Sequence, residues 1–363
     1  MRTPNKFGGM EVMFQAMDDV YISNQKNNQY SDFYSDSSRD PQREPEHDGN
    51  QRPRKKKKKR SLLKFLMSVL LVLAVIFAIG YAFVFSMMLK IDYNESGHKN
   101  NVYVNSSDLM SGVGVQNILL IGVDARPGET VSRSDTMMLL SIDKTRRKIK
   151  LTSFLRDTWV DIPGHYYAKL NASCALGGAQ LVMDTIEYNF NIKIDNYMLV
   201  NFEVFKSVVN RLGGVEVDIT EKEARYLRNV VHLTTIKAGQ NVHLNGNQAL
   251  WYCRIRYLDD DFMRTSRQRK VISSILGKAR KTNVLELMRI TNDSLPEIES
   301  DMSAVTLTNL AMGASLMYLS FDIETQQIPA DNTWKNGKKS GQDVLIANFG
   351  ENREVLKAFL YSN

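Results

Sequence analysis

The sequence predicts a mixed α/β (α+β) domain, a three-layer sandwich with a central mixed sheet flanked by helices, on a single N-terminal transmembrane anchor. Three observations predict it. One run, Phe65 to Leu89, has 25 residues without Asp, Glu, Lys, Arg or His. From Val115 onward, short apolar segments of strand length alternate with longer segments of helical spacing. Some of the strand-like segments are joined by short polar connections, which suits hairpins in a layered sheet better than a barrel. At 43% hydrophobic and 24% charged residues, the 363-residue chain can otherwise build an ordinary globular core.

As a helix the Phe65–Leu89 run is ~37 Å long, enough to cross a ~30 Å hydrocarbon core with some tilt. It has no polar face, which argues against a helix buried in a soluble protein. It exceeds the apolar region of a cleaved signal peptide, and no small-x-small cleavage site follows. Directly before it, residues 52–60 (RPRKKKKKR) carry eight positive charges in nine positions, so much of the net charge of +7 gathers there. Positive charge flanking an anchor marks the cytoplasmic side. Residues 1–60 are therefore expected to be a disordered cytoplasmic tail, since they are rich in Asn, Gln, Ser, Asp and Arg. Residues 61–90 are the expected transmembrane helix, 91–114 an extracellular stalk, and 115–363 the extracellular domain. A basic run also suits nucleic acid or anionic lipid, but its place beside the anchor explains it. The tail has no helix-turn-helix pattern, and no specific nucleic-acid partner is expected.

Within the domain, QNILLIGVD reads as a buried strand ending in Gly and Asp. DTMMLLSID and KIKLTSFL follow as two more, joined by KTRRK. GGAQLVMDTIEYNF reads as a helix, because Leu176, Ala179, Met183, Ile186 and Phe190 recur at three- and four-residue spacing. NYMLVNF is a strand, EVFKSVVNRL a helix stopped by Gly213 and Gly214, and GGVEVDI a strand. GNQALWYCRIR begins helical. FMRTSRQRKVISSILGKARK is a longer helix with Ile272, Ile275, Leu276 and Ala279 toward a core. Further helices are expected at 284–291, 303–318 and 351–362, with a strand at 321–329.

Chemistry concentrates in three stretches. GVDARPGETVSRSDTM holds Asp124, Arg126, Arg133 and Asp135. Asp124 ends one strand and Asp135 starts the next, so their carboxylates can meet. That suits Mg²⁺ near phosphates, or equally a loop capped by turn residues. LTSFLRDTWVDIPG puts Arg156 and Asp157 after a strand, followed by Lys169, Asn171 and the Gly177–Gly178 pair before a helix, where anions are favoured. RIRYLDDDFMRTSRQR packs five arginines around three aspartates. Extended, Arg254 and Arg256 share a face. Helical from Asp261, Arg264 and Gln268 lie along one face, with Arg267 adjacent. Guanidinium forks match phosphate oxygens, although a salt-bridged surface helix fits the same charge run. The five histidines, His47, His98, His165, His232 and His243, show no HxxxH or HExxH spacing and no zinc motif.

Taken together, NILLIGVDAR, RSDTMMLLSID, LTSFLRDTWVDIPG, KLNASCALGG, VNFEVFKSVVNRLGGVEVDI and LNGNQALWYCRIRYLDDDFMRTSRQR resemble the LytR–CpsA–Psr family of Gram-positive bacteria over about residues 115–280. The resemblance implies a Mg²⁺-dependent phosphotransferase outside the membrane. It would move a glycopolymer, of teichoic acid or capsular polysaccharide type, from a polyprenyl-pyrophosphate carrier to peptidoglycan and release polyprenyl phosphate. By motif, Asp124 and Asp135 hold Mg²⁺. Arg126, Arg156, Lys169, Asn171, Arg254, Arg256 and Gln268 bind the pyrophosphate, Lys169 and Asn171 through the family's K-x-N loop. Asp261, Arg264, Arg267 and Arg133 form the catalytic group, with Asp261 either the base for the acceptor hydroxyl or a partner orienting Arg264. Asp259, Asp260 and Arg269 are outside the motif, the aspartates balancing charge and Arg269 on the surface. The chain departs from the family at Leu155, where proline often precedes the Arg-Asp pair. Cys174 and Cys253 each sit beside a site motif, which would allow a disulfide if the motifs converge. Water in place of the sugar acceptor would make the same residues a pyrophosphate hydrolase. A membrane-tethered regulator would instead work through the tail.

Overall fold

A computed structural model of the chain describes residues 58–94, 101–124, 133–256, 258, 260–316 and 320–362. The tail expected to be disordered, up to residue 57, lies outside them, as do Arg126 and Asp259. Two units divide the chain at Leu63 and Lys64, and the fold below is that of the second.

Helix α1 (Lys58–Met88) covers the residues of the expected anchor: Lys64–Met88 is 25 residues long with a mean hydropathy of 2.7, long and apolar enough to cross a membrane. Its last turns change character. Val84, Met87 and Met88 are buried, and Tyr81 donates a hydrogen bond to Asn309. The chain then enters the domain at once. β1 (Asp92–Tyr93) pairs with β10 (Glu299–Ser300), Asn101 is buried against Glu187, and Met110 bridges to Ile192. The expected stalk is therefore corrected: its described residues are part of the domain, held by backbone pairing and a buried amide.

The central sheet has seven strands in the order β1-β10-β7-β2-β3-β4-β11. Its middle is β2 (Val115–Val123), β3 (Ser134–Asp143) and β4 (Lys148–Phe154), all antiparallel, with β3 and β4 joined, as expected, through the KTRRK turn. β7 (Asn196–Asn201) adds parallel to β2, and β11 (Asp322–Ile328) parallel to β4. Side chains alternate along a strand, so β2 feeds two cores. Leu119, Ile121 and Val123 pack under α2 (Ala172–Phe190) and the C-terminal α9 (Phe349–Tyr361). Ile118 and Leu120 face α6 (Asp261–Lys281), α7 (Val284–Ser294), α8 (Ala304–Leu316) and the end of α1. This is the expected three-layer sandwich. A third core joins α3 (Phe202–Arg211), α4 (Glu221–Asn229) and α5 (Gly246–Cys253) to the hairpin of β8 (Val215–Ile219) and β9 (Gly239–Leu244).

α2 begins at Ala172, earlier than its spacing predicts, and is broken at Gly177 and Gly178. Gly178 has a φ of +66°, a conformation open to glycine and strained for other residues. Two small hairpins went unexpected: β5 (Trp159–Asp161) with β6 (Tyr167–Lys169), and β12 (Trp334–Lys339) with β13 (Gln342–Ala347).

Candidate active site: an arginine-lined mouth over an apolar cleft

The site grows from one irregularity. β2 and β3 pair Gly122 with Thr136 and Val123 with Ser134, so Asp135 is the extra residue of a bulge at the strand ends. Bulges re-aim a side chain and end a ladder. Asp135 thereby becomes the hub of the charged residues. Arg156 Nη1 donates to its carboxylate at 2.7 Å, Arg256 Nη2 at 3.3 Å, and Arg264 Nη2 to its backbone carbonyl at 3.3 Å. Asp124, just past the end of β2, accepts from Arg254 Nη2 at 3.1 Å. Arg254 lies over the rings of Phe202 and Trp251, at 4.7 and 5.4 Å from their centroids, which fixes its guanidinium by cation–π contact.

Arg156 follows the end of β4. Leu155 is fully buried and donates its backbone N–H to Ile328 O at 2.8 Å. Proline has no such donor, so the departure at Leu155 adds one rung between β4 and β11 beside Arg156. Arg156 also faces Asp157 at 3.6 Å and Asp261 at 3.5 Å. Lys169 pairs with Asp157 at 2.7 Å, and the Asn171 N–H donates to Arg156 O at 3.2 Å. Lys169 and Asn171 thus hold the Arg156–Asp157 turn, and the Asn171 Oδ1 is buried without a partner among the described residues. Sequence reasoning gave Asp157 no role, although its place beside Arg156 was visible.

Asp260 N-caps α6, accepting from Met263 N at 3.0 Å, which is more than balancing charge. The next residue, Asp261, pairs with Arg264 at 2.9 Å. Burial pushes the Asp261 carboxyl above the usual carboxylate range. Arg264 and Arg156 pull it back, and Asp157 and Asp135 add to the rise. Arg264 is only 3% exposed, and its Nε and Nη1 have no hydrogen-bond partner among the described residues.

Beneath these groups is a cleft of about 160 Å³ between the sheet and α3, α5 and α6. Leu120, Val200, Phe202, Phe205, Leu250 and Ile272 form its apolar walls, while Asp135, Arg254, Arg256, Arg264 and Gln268 line it as well. Such a space takes an apolar chain with an anionic head: the chain leaves water among the aliphatic walls and the head meets guanidinium forks.

The expected residues divide. Asp124, Asp135, Arg156, Arg254, Arg256, Asp261, Arg264 and Gln268 come together, with Lys169 and Asn171 behind Arg156. Arg133 is exposed just before β3. Arg267 is a correction: it does not line the cleft. It is 1% exposed and bound to Glu223 at 2.7 Å, and it donates to Ile255 O, so it positions the Arg254–Arg256 segment from below. Glu223 was missed, although Thr220-x-x-Glu223 spells a capping box, and both of its reciprocal bonds form. Arg269, expected on the surface, is buried. The disulfide does not form. Cys174, on α2, sits in the core between α2 and the sheet and Cys253 in the core of α3–α5, both free, with burial pushing their thiols up to about 11 and about 12.

Fold and site together define a three-layer α/β domain with an apolar cleft under a rim of arginines. The chain belongs to the LytR_cpsA_psr family, which matches residues 81–357. It is 34% identical over 227 residues to the polyisoprenyl-teichoic acid–peptidoglycan teichoic acid transferase TagU of Enterococcus faecalis, covering 60% of this chain and 70% of that one. To the corresponding transferase TagT of Bacillus subtilis it is 36% identical over 168 residues, covering 45% and 52%. Among solved structures it is similar to TagT bound to LI-WTA, with a TM-score of 0.58 and 27% identity over 68% of this chain and 91% of that one.

Proposed function

We propose that the protein transfers a glycopolymer of teichoic acid or capsular polysaccharide type from a polyprenyl-pyrophosphate carrier to peptidoglycan, on the outer side of the cell membrane. The observation that carries this reading is Arg264, buried with unpartnered N–H groups at the rim of an apolar cleft. Asp261 pairs with its Nη2 side, but buried N–H groups left without an acceptor remain costly, and a pyrophosphate head supplies the missing acceptors. The similar transferases TagU and TagT support the same chemistry. The basic run before α1 supports an outward-facing domain.

In the reaction, an acceptor sugar hydroxyl attacks the phosphorus next to the glycan. The bond from that phosphorus to the bridging oxygen breaks, and polyprenyl phosphate leaves with the electron pair. Charge develops on equatorial and leaving oxygens, so positioning and electrostatics supply most of the catalysis. Arg254, Arg256 and Arg264 hold those oxygens, and Arg156 steadies Asp135 and Asp261 beside them. Asp261 takes the proton of the attacking hydroxyl. Its burial suits that task, since a raised carboxyl is a stronger base.

Asp124 and Asp135 fit a Mg²⁺ ion: both are oxygen donors at the paired ends of β2 and β3. Such an ion would neutralise charge on the transferring phosphoryl group. Transfer by the full-length chain in detergent should stop with chelator and return with added Mg²⁺. Arg264→Ala should lower kcat/KM by about 10²–10³-fold, the scale for losing a donor to a developing oxyanion. A native rate for Arg264→Ala would show that the cleft is not the site.

A further inference from the structure

Arg269 stands apart from the other buried cations. It is 9% exposed, its Nη1 has no partner among the described residues, and its Nη2 donates to the amide oxygen of Gln327 at 3.1 Å. Among the described residues no carboxylate lies within ion-pair distance of it. The nearby acids are engaged elsewhere: Glu216 with Lys278, Asp218 with the Asn241 N–H, and Asp331 with the Gln327 amide. Burial alone lowers its guanidinium to about 10. Arg267, two residues earlier, shows the usual solution, a buried carboxylate at 2.7 Å. Burying a cation without one is costly, so the position calls for an anion from outside the chain.

The surroundings say what carries that anion. Phe262, Ser266, Arg269 and Ser273 are spaced by four, three and four residues and form one stripe along α6. Arg264, Gln268 and Ile272, which line the apolar cleft, form another. The Arg269 stripe faces the edge strand β11, and two cavities of about 490 and 430 Å³ lie along that boundary, both walled by Ser266, Arg269 and Thr325. Hydroxyls and amides are the commonest groups in the two linings, beside Glu216, Asp218, Asp331 and Lys270, and they suit the hydroxyls of a sugar. At one end Phe262 stacks on Trp334 with ring centroids 4.6 Å apart, beside Asp261 in sequence.

We infer that the groove between α6 and β11 binds a sugar chain bearing a carboxylate, with Arg269 as its counter-charge. The donor's phosphates are matched by the arginines of the cleft stripe. The groove supplies a separate approach along α6 toward Asp261, so the sugar chain it takes is the acceptor. That assignment rests on the transferase reading; the anion-bearing sugar site does not.

The test measures binding to the full-length chain in detergent by calorimetry. The probes are N-acetylglucosaminyl-N-acetylmuramic acid with its carboxylate free, the same disaccharide amidated, and inorganic phosphate. The native protein should bind the free acid at least tenfold more tightly than the amide, and Arg269→Gln should abolish that difference. Arg269→Gln should bind polyprenyl pyrophosphate as the native protein does. Arg269→Met should unfold at the native temperature or above, because it removes a desolvated charge; a fall of several degrees would make Arg269 a structural residue and overturn the proposal. Equal binding of acid and amide, no binding, or phosphate binding as tightly as the disaccharide would overturn it too. Native transfer with an unchanged acceptor KM in Arg269→Gln would overturn the assignment of the groove to the acceptor and leave the transferase. Disaccharide binding without transfer would do the reverse.

Discussion

Asp261 sits where opposite demands on one carboxyl meet. Burial raises it most, Arg264 and Arg156 oppose that rise, and Asp157 and Asp135 reinforce it. The sign follows directly. A carboxyl raised in the folded state binds its proton more tightly there, so its ionisation removes stability as pH climbs from the unfolded pKa to the folded one. The basic form is present only above the raised value. The acid limb of kcat/KM should therefore lie at higher pH than for an ordinary carboxylate, and Asp261→Asn should lower the rate and flatten that limb. An unchanged limb in Asp261→Asn, measured on the full-length chain, would assign the base elsewhere. At this scale the sequence revealed which residue types gather, because arginine and aspartate at strand ends and helix starts have few bland uses together. It did not reveal partners. Arg264 and Arg267 are three residues apart on one helix, yet one rims the cleft and the other is sealed against Glu223. Only the packing of α4 decides that.

α6 connects the site to the rest of the fold. Its N-terminal turn holds Asp261 and Arg264, and its start is fixed by Asp260, whose carboxylate accepts from Met263 N. Removing an N-cap carboxylate costs about 1 kcal/mol. Asp260→Ala should lower stability by about that much in denaturant titration, and lower turnover more than stability, because Asp261 loses its placement. Equal and small effects on both would show that the cap does not position the site. Long elements with clear periodicity were legible: β2, β3, β4, α3, α6 and α9 lie close to where their apolar spacing puts them. The missed elements have physical reasons. β5, β6 and β10 are two or three residues long, too short for a period. α4 is polar along most of its length, so only its capping box signals a helix. The hairpin of β12 and β13 turns at Ser340 and Gly341, both with positive φ, a turn signal that the sequence does carry.

For the whole molecule, the apolar helix α1 and the domain are not joined by a free tether. Val84 and Met88 belong to the same core as Ile118, Met138 and Phe321, and Lys90 donates to Asn292 at 2.7 Å. Composition alone made residues 91–114 look like a stalk, because short polar segments that pair by backbone lack an apolar signature. Truncating a buried methionine costs about 2–5 kcal/mol, so Met88→Ala in the full-length chain should destabilise the domain by that order in detergent. A change below about 0.5 kcal/mol, ordinary for a surface position, would mean that the end of α1 is not part of the core. The central claim is that one cleft holds an apolar chain and its pyrophosphate head together. Its most direct test is the equilibrium affinity of the full-length chain for polyprenyl pyrophosphate and for the uncharged polyprenol of equal length. The account predicts that the pyrophosphate binds at least a hundredfold more tightly, and that Arg254→Ala with Arg264→Ala removes most of that preference. Equal affinity for the two lipids, or an unchanged preference in the double variant, would contradict it.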